Sequence, residues 1–341
     1  MYDRIDTILD TAPISRDDGD AIGRSREGRT IRAFRIGRGL QRISLIGGCH
    51  ADEPVGPRML RHLVAHLSSL PPDDPLLSTR QWWIIPHINP DGEERNRAWY
   101  GDDDDAYDLV TYLSHVIREL PGNDIEFGFP RDSDDGGARP ENRAAFDWWH
   151  RAPQPFALHV TFHGMAFAAG PWFLIERAWK DRCKQLKERC VARVEEMGYM
   201  LHDIERNGEK GFFRLGRGFC TRPDSRYMRE HFIALGDRET ADLFRPSSME
   251  AIRSMGGDPL TLVSEMPLFI TPGVGRQLGP PDPVAKAWKE RIDGWRSVLR
   301  DGGEPDEVET DALEHQLVAM PVRDQMTLQL TFLAAGLDQV E

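Results

Sequence analysis

Residues 43–67 read ISLIGGCHADEPVGPRMLRHLVAHL, and the fold is decided in this stretch. Ile43 to Gly48 is a short apolar run that suits a buried strand. The period then changes. Val55, Met59, Leu60, Leu63, Val64 and Leu67 recur at steps of three and four, which predicts a helix over 54–68 with one apolar face. Pro54 and Pro57 fit its first turn. A strand running straight into an amphipathic helix is the repeating unit of α/β sheets. Between the two stand His50 and Glu53.

The same alternation extends outward. Strands are expected at 82–85 (WWII), 157–162 (ALHVTF), 172–175 (WFLI) and 260–263 (LTLV). Helices are expected at 141–151, 177–197 and 284–300. In the second of these Trp179, Cys183, Leu186, Cys190, Val194 and Met197 form one stripe, and Gly198 is a stop. The pattern predicts a three-layer α/β sandwich with a parallel or mixed sheet. Residues 101–139 are rich in Asp, Gly and Pro and read as loops, with Asp102 to Asp105 a solvated acidic run. DGGEPDEV (301–308) reads as a linker. Residues 1–300 are therefore expected to form one domain, and 301–341 a linker followed by a short helical appendage.

Composition narrows the function classes. The chain has 341 residues, with 43 basic and 56 acidic side chains and a net charge of −13. An acidic balance argues against general affinity for nucleic acid or anionic membranes. No apolar run approaches the ~20 residues needed to cross a bilayer. MYDRIDTILDTAPISRDD lacks a basic segment followed by an apolar stretch, so no secretory leader is expected. Of the four cysteines, Cys183 and Cys190 lie roughly 10 Å apart along a helix, beyond the ~7 Å limit for a bridge. There is no CxxC pair, so all four are expected to be reduced, in a cytoplasmic setting. Strand alternation turns Cys49 away from His50 and into the core.

The unusual polar residues collect at strand ends. His50 and Glu53 follow the first strand. Asn89, Asp91 and Gly92 of HINPDG follow the second. His163 ends the third, and Glu265 ends the fifth. Ligands in open α/β sheets gather beyond the carboxyl ends of strands. Two imidazoles and a carboxylate are a known catalytic zinc set that leaves one position for water, and a further carboxylate can accept a proton. At a spacing of three, His50 and Glu53 can aim at one point. Each residue alone has an ordinary reading. HxxE occurs as a solvated pair, His163 could be a hydrogen-bonded core histidine, Glu265 a helix-terminal acid, and NPDG a turn. Their order and placement together are far more specific.

That order resembles the zinc metallocarboxypeptidases of the carboxypeptidase A type, which include peptidoglycan peptidases, cytosolic deglutamylating enzymes and aspartoacylase-like deacylases. The resemblance covers roughly residues 20 to 270. It begins with IGRSREGRTIRAFRIG (22–37), similar to the family's opening strand pair, and ends at Ser264 and Glu265. It implies that His50, Glu53 and His163 bind one Zn²⁺, that Glu265 is the general base, and that a mixed, mainly parallel eight-stranded sheet is flanked by helices. NPDGEERNRAW offers Arg95 and Arg97 for the oxyanion. NRAW resembles the family's Asn-Arg-x-Trp stretch, so Arg97 is preferred. NDIEFGFP implies that Asp124 orients His50.

One departure stands out. Where the family grips a substrate carboxylate with Asn-Arg, this chain has Glu126 and Phe127. A carboxylate grip needs a cation. Three outcomes remain open. An arginine of EKGFFRLGRGFCTRPDSR (209–226), such as Arg217 or Arg222, takes over the grip; Glu126 binds a substrate amine; or no carboxylate is bound. The expected activity is hydrolysis of an amide in a small peptide or amino-acid conjugate. An N-acyl amino-acid deacylase or amidase is the alternative, and a zinc-binding pseudoenzyme is a third reading.

Overall fold

The computed structural model describes residues 1–101, 105–276, 278–279 and 282–341. The strands in chain order are β1 (Asp20–Arg24), β2 (Thr30–Ile36), β3 (Gln41–Gly47), β4 (Arg80–Ile85), β5 (Leu158–Ala168), β6 (Trp172–Ile175), β7 (Arg214–Gly216), β8 (Phe219–Thr221), β9 (Leu260–Ile270) and β10 (Val318–Ala319). They form one sheet in the order β1-β2-β4-β3-β5-β9-β6-β8-β7, with β10 paired to the far end of β9. The middle strands β4, β3, β5 and β9 run parallel. Antiparallel pairs close the β1 and β7 edges. The result is a mixed α/β sandwich. The described residues hold ten strands rather than eight. β7, β8 and β10 are two or three residues long, too short to show a period in the sequence.

Helices cover both faces. On one side the helices Val55–Ser69, Lys184–Glu196 and Val322–Val340 pack with Leu45, Leu158 and Leu262 of the sheet in the main core. On the other, the helices Pro140–Trp149 and Ser248–Ser254 pack Trp149 and Ile252 against Trp83, Ile85 and Phe156. The strand-to-helix turn at 48–54 is therefore held between two packed layers.

The C-terminal segment corrects the sequence reading. Residues 322–340 are not an appendage. Met326, Leu330, Phe332, Leu333 and Leu337 are buried, and a Cβ on Gly336 would lie 2.7 Å from Leu262 Cδ1. The run TLQLTFLAAGL is apolar on several sides, the mark of a buried helix. Gln329 Nε2 donates to the His163 carbonyl at 3.3 Å, so this helix touches the strand that carries the site. The acidic run Asp102–Asp104 lies outside the described residues.

Candidate metal centre

His50 and Glu53 do not share a helical turn. They lie on a tight turn after β3, and the helix begins only at Val55. The turn is possible because Gly48 has φ +71, a region that side chains disfavour. It is held from beneath by the NPDG segment. Asn89 Oδ1 accepts from Gly92 N at 3.0 Å and starts the helix Pro90–Asn96. A Cβ on Gly92 would lie 2.6 Å from Ala51 Cβ, so only glycine permits this approach. Asp91 is buried and accepts from Ser25 Oγ at 2.6 Å and Arg29 Nη1 at 2.8 Å, tying the motif to the first hairpin.

His163 comes from β5, five residues past the start of its ladder with β3, and its pairing partner on β9 is Glu265. His50 Nδ1 lies 2.6 Å from Glu53 Oε1. His163 Nδ1 lies 2.9 Å from Glu53 Oε2 and 3.1 Å from His50 Nδ1. Two imidazole nitrogens that close cannot both present lone pairs without a cation between them. The outer nitrogens face carboxylates. His50 Nε2 is 3.4 Å from Asp124 Oδ2, and His163 Nε2 is 3.4 Å from Glu126 Oε2. Glu126 Oε2 has no hydrogen bond among the described residues. An outward Nε2–H on each ring would satisfy both carboxylates and leave both Nδ1 lone pairs aimed inward. This donor set fits a divalent metal.

The carboxylates make this point a favourable place for positive charge, which in the metal-free chain the histidine protons supply. Burial alone would lower the pKa of His50, but Glu53 and Asp124 outweigh it and push it up to about 10. His163 is likewise raised against its burial, chiefly by Glu53. Burial works against ionisation of Glu53, yet the two histidines hold it well below the carboxylate range. Glu265 behaves differently. Burial, reinforced by Glu53 and opposed by His163, pushes it up to about 7. One carboxylate is thus fixed as an anion while its neighbour is poised near neutrality, the separation an acid–base residue requires.

Three of the residues expected at the site are elsewhere or differently employed. Arg97 is 60% exposed and pairs with Glu94 at 2.7 Å. It lines a cavity with Arg16, Arg29 and Glu93 that none of the metal-set residues reaches. The reason lies in NRAW itself: Asn96 and Trp99 are buried, which turns Arg97 outward. Asn96 Nδ2 donates to the carbonyls of Ala51 at 3.0 Å and Ile117 at 2.9 Å, and its Oδ1 accepts from Ile117 N at 2.8 Å. That clamp delivers a different cation. Arg118 Nη1 is 3.2 Å from Asp52 and its Nη2 is 3.9 Å from Glu53. Arg217 is half-exposed and pairs with Glu195 at 2.6 Å on the surface.

Arg222 does reach the centre, but its side chain is buried and ion-paired to Glu126 Oε1, with Ser248 Oγ at 3.5 Å. Glu126 and Arg222 therefore neutralise each other. Cys49 also departs from expectation. Strand alternation ends at Gly47, and the left-handed Gly48 turns Cys49 toward the site. Its thiol lies within 4.8 Å of donor atoms of Glu126 and His163, and burial pushes its pKa up. All four cysteines are free.

Residues 19–173 match the family model described as zinc carboxypeptidase. Carboxypeptidase M of Mus musculus is 26% identical over 162 residues, 44% of this chain and 34% of that protein. The chain thus spans about a third of that relative's length. An inactive metallocarboxypeptidase of Talaromyces marneffei is 31% identical over 95 residues, 23% of this chain and 16% of that protein. Among solved structures, a metallo-carboxypeptidase from Pseudomonas aeruginosa in complex with (2-guanidinoethylmercapto)succinic acid superposes with a TM-score of 0.48 at 16% identity, covering 100% of this chain and 69% of that one.

Proposed function

We propose that this chain, whose residues 19–173 match the zinc carboxypeptidase family model, hydrolyses an amide bond in a small peptide or amino-acid conjugate. The observation that carries the reading is the convergence of His50 Nδ1, Glu53 and His163 Nδ1 within 2.6–3.1 Å, with Glu265 paired in register beside His163. His50, Glu53 and His163 would hold one Zn²⁺. When bound, zinc supplies a Lewis acid that polarises a carbonyl and acidifies water.

The protein's own groups do the rest. Asp124 and Glu126 stand 3.4 Å from the two outer Nε2 atoms and would accept from Nε2–H groups there, fixing both tautomers. Glu265 takes the proton of the attacking water and returns it to the leaving amine. Arg118, rather than Arg97, is the cation placed to stabilise negative charge developing on the carbonyl oxygen. A second reading, an N-acyl amino-acid deacylase or amidase, is favoured by the Glu126–Arg222 pair, which leaves the usual carboxylate-gripping position filled by a neutralised couple. The inactive relative makes a zinc-binding pseudoenzyme the third reading. Four free cysteines support a reducing, cytoplasmic setting.

The test is a panel of short peptides and N-acyl amino acids, with zinc measured per chain. Glu265→Ala should keep one zinc and lose about 10²–10⁴-fold in turnover. Full activity in that variant excludes Glu265 as the base. Tightly held zinc with no hydrolysis of any substrate supports the pseudoenzyme.

A further inference from the structure

The segment 117–126 brings three charged side chains to the metal set: Arg118 toward Glu53, Asp124 toward His50 and Glu126 toward His163. It contains neither helix nor strand. Groups that must meet a metal ligand in one orientation need a backbone held by its surroundings. Here two buried charges hold it.

Glu119 and Arg139 have side chains only 8% and 4% exposed. Arg139 stands just before the helix Pro140–Trp149. Its Nη1 donates to Glu119 Oε1 at 3.2 Å and to the carbonyl of Asn123. Its Nε and Nη2 donate to Glu141 at 3.2 and 2.9 Å, which fixes the plane of the guanidinium. The other oxygen of Glu119 accepts from Asn89 Nδ2 at 2.7 Å. Arg95, 41% exposed, adds a looser contact to Glu119 at 3.5 Å. Asn89 is the residue whose Oδ1 starts the NPDG helix beneath the metal turn. Hydrogen bonds thus run without a break from Asn89 through Glu119 and Arg139 to the peptide that precedes Asp124. Asp124 Oδ1 then accepts from Glu126 N at 2.7 Å, and Oδ2 faces His50 Nε2 at 3.4 Å. The residue types are specific. Glu119 accepts on both oxygens from different segments, whereas a Gln amide could answer only one of them. Arg139 serves three partners with one planar fork, which a Lys ammonium cannot reproduce.

We propose that Glu119 and Arg139 are positioning residues of the metal centre, locking the peptide ahead of Asp124 to the NPDG turn so that the Asp124 carboxylate meets His50 in the orientation zinc binding requires; this rests on His50, Glu53 and His163 being the zinc set. Neither residue touches metal or substrate.

The test is a double-variant cycle on zinc affinity, read by competition with a chelator. E119Q and R139K are made alone and in combination with D124N. Residues that act through one another give losses that do not multiply. E119Q and R139K should each weaken zinc about tenfold. In the D124N background either should add less than about twofold. Should R139K not fold, E119Q alone carries the cycle. Hydrogen exchange of the metal-free chain gives a second readout: residues 117–126 should exchange about tenfold faster in either variant, with β5 unchanged. Unaltered zinc affinity in both single variants overturns the proposal. So do losses that multiply in full with that of D124N, the result of a general loosening of the fold. If the unmodified chain holds no zinc while exchange of 117–126 rises selectively in the variants, the anchor stands and the metal reading fails. If zinc is held and neither variant changes exchange or affinity, the reverse holds.

Discussion

Two groups of arginine neighbour the candidate metal set, and they are built differently. Arg222 is buried, faces Glu126, and stands behind the outer nitrogen of His163. Arg118, Arg296 and Arg300 line an open cavity; Arg118 pairs with the buried Asp52, while Arg296 and Arg300 face the exposed Asp293 and Asp301. A buried ion pair is costly to form and costlier to break, so it suits a fixed position. Exposed cations cost little and adapt, so they suit a ligand that comes and goes. Glu126 thus belongs to a neutralised pair behind His163, while Arg296 and Arg300 face only exposed carboxylates.

The largest expected effect on stability tests the buried side. Arg222→Ala leaves Glu126 uncompensated and should destabilise the chain by about 3–5 kcal/mol in denaturant titration. Glu126→Leu with Arg222→Met should recover most of that loss, since replacing both partners by apolar groups is often neutral. Failure of the double variant to recover would mean that the pair does more than neutralise itself. Next in size is zinc affinity. Glu126→Leu with Arg222→Met removes the carboxylate that stands 3.4 Å from His163 Nε2 and should weaken zinc by about 10–100-fold in competition with a chelator, as should Asp124→Asn for His50.

Glu265 gives a pH-dependent test on the metal-free chain. Folding raises its pKa to about 7 from 4.5. A carboxyl raised by folding contributes stability in its protonated form; that contribution is fully present below the unfolded value and is lost as pH rises through about 7. Glu265→Gln should therefore raise Tm more at pH 8.5 than at pH 5.5. An equal gain at both would place the titration elsewhere. The smallest effect belongs to the open side. Arg296→Ala should change stability by no more than about 0.5 kcal/mol, and a larger loss would show that the cavity arginines are structural.

Much of the fold was legible because its central elements are long and periodic. The helix at 55–69 carries a clear period of three and four, and the strands at 43, 82, 158 and 260 are continuous apolar runs. The C-terminal helix was not, because a helix buried on several sides loses the polar face that marks amphipathic helices. His50, Glu53, His163 and Glu265 stand out in the sequence because strand ends aim them at one edge, whereas the β5–β9 register that pairs His163 with Glu265 emerges only from the structure. The arginines were not. Arg97 was chosen by a motif whose buried members are Asn96 and Trp99, and the role of Asn96 emerges only from its bonds to Ala51 and Ile117. Arg118 sits in a loop with no periodic signal, and Arg296 and Arg300 lie on a helix far along the chain. Strand alternation gives the wrong direction for Cys49 because the positive φ of Gly48 breaks it there.

The central claim is that His50, Glu53 and His163 hold one zinc ion through their inward atoms. Anomalous diffraction at the zinc edge from crystals of the zinc-loaded chain tests it most directly. A single peak about 2.0–2.2 Å from His50 Nδ1, a Glu53 oxygen and His163 Nδ1 is the expected result. A peak on Cys49, Glu126 and His163 Nε2 instead, or none at the His50–Glu53–His163 position, would contradict it.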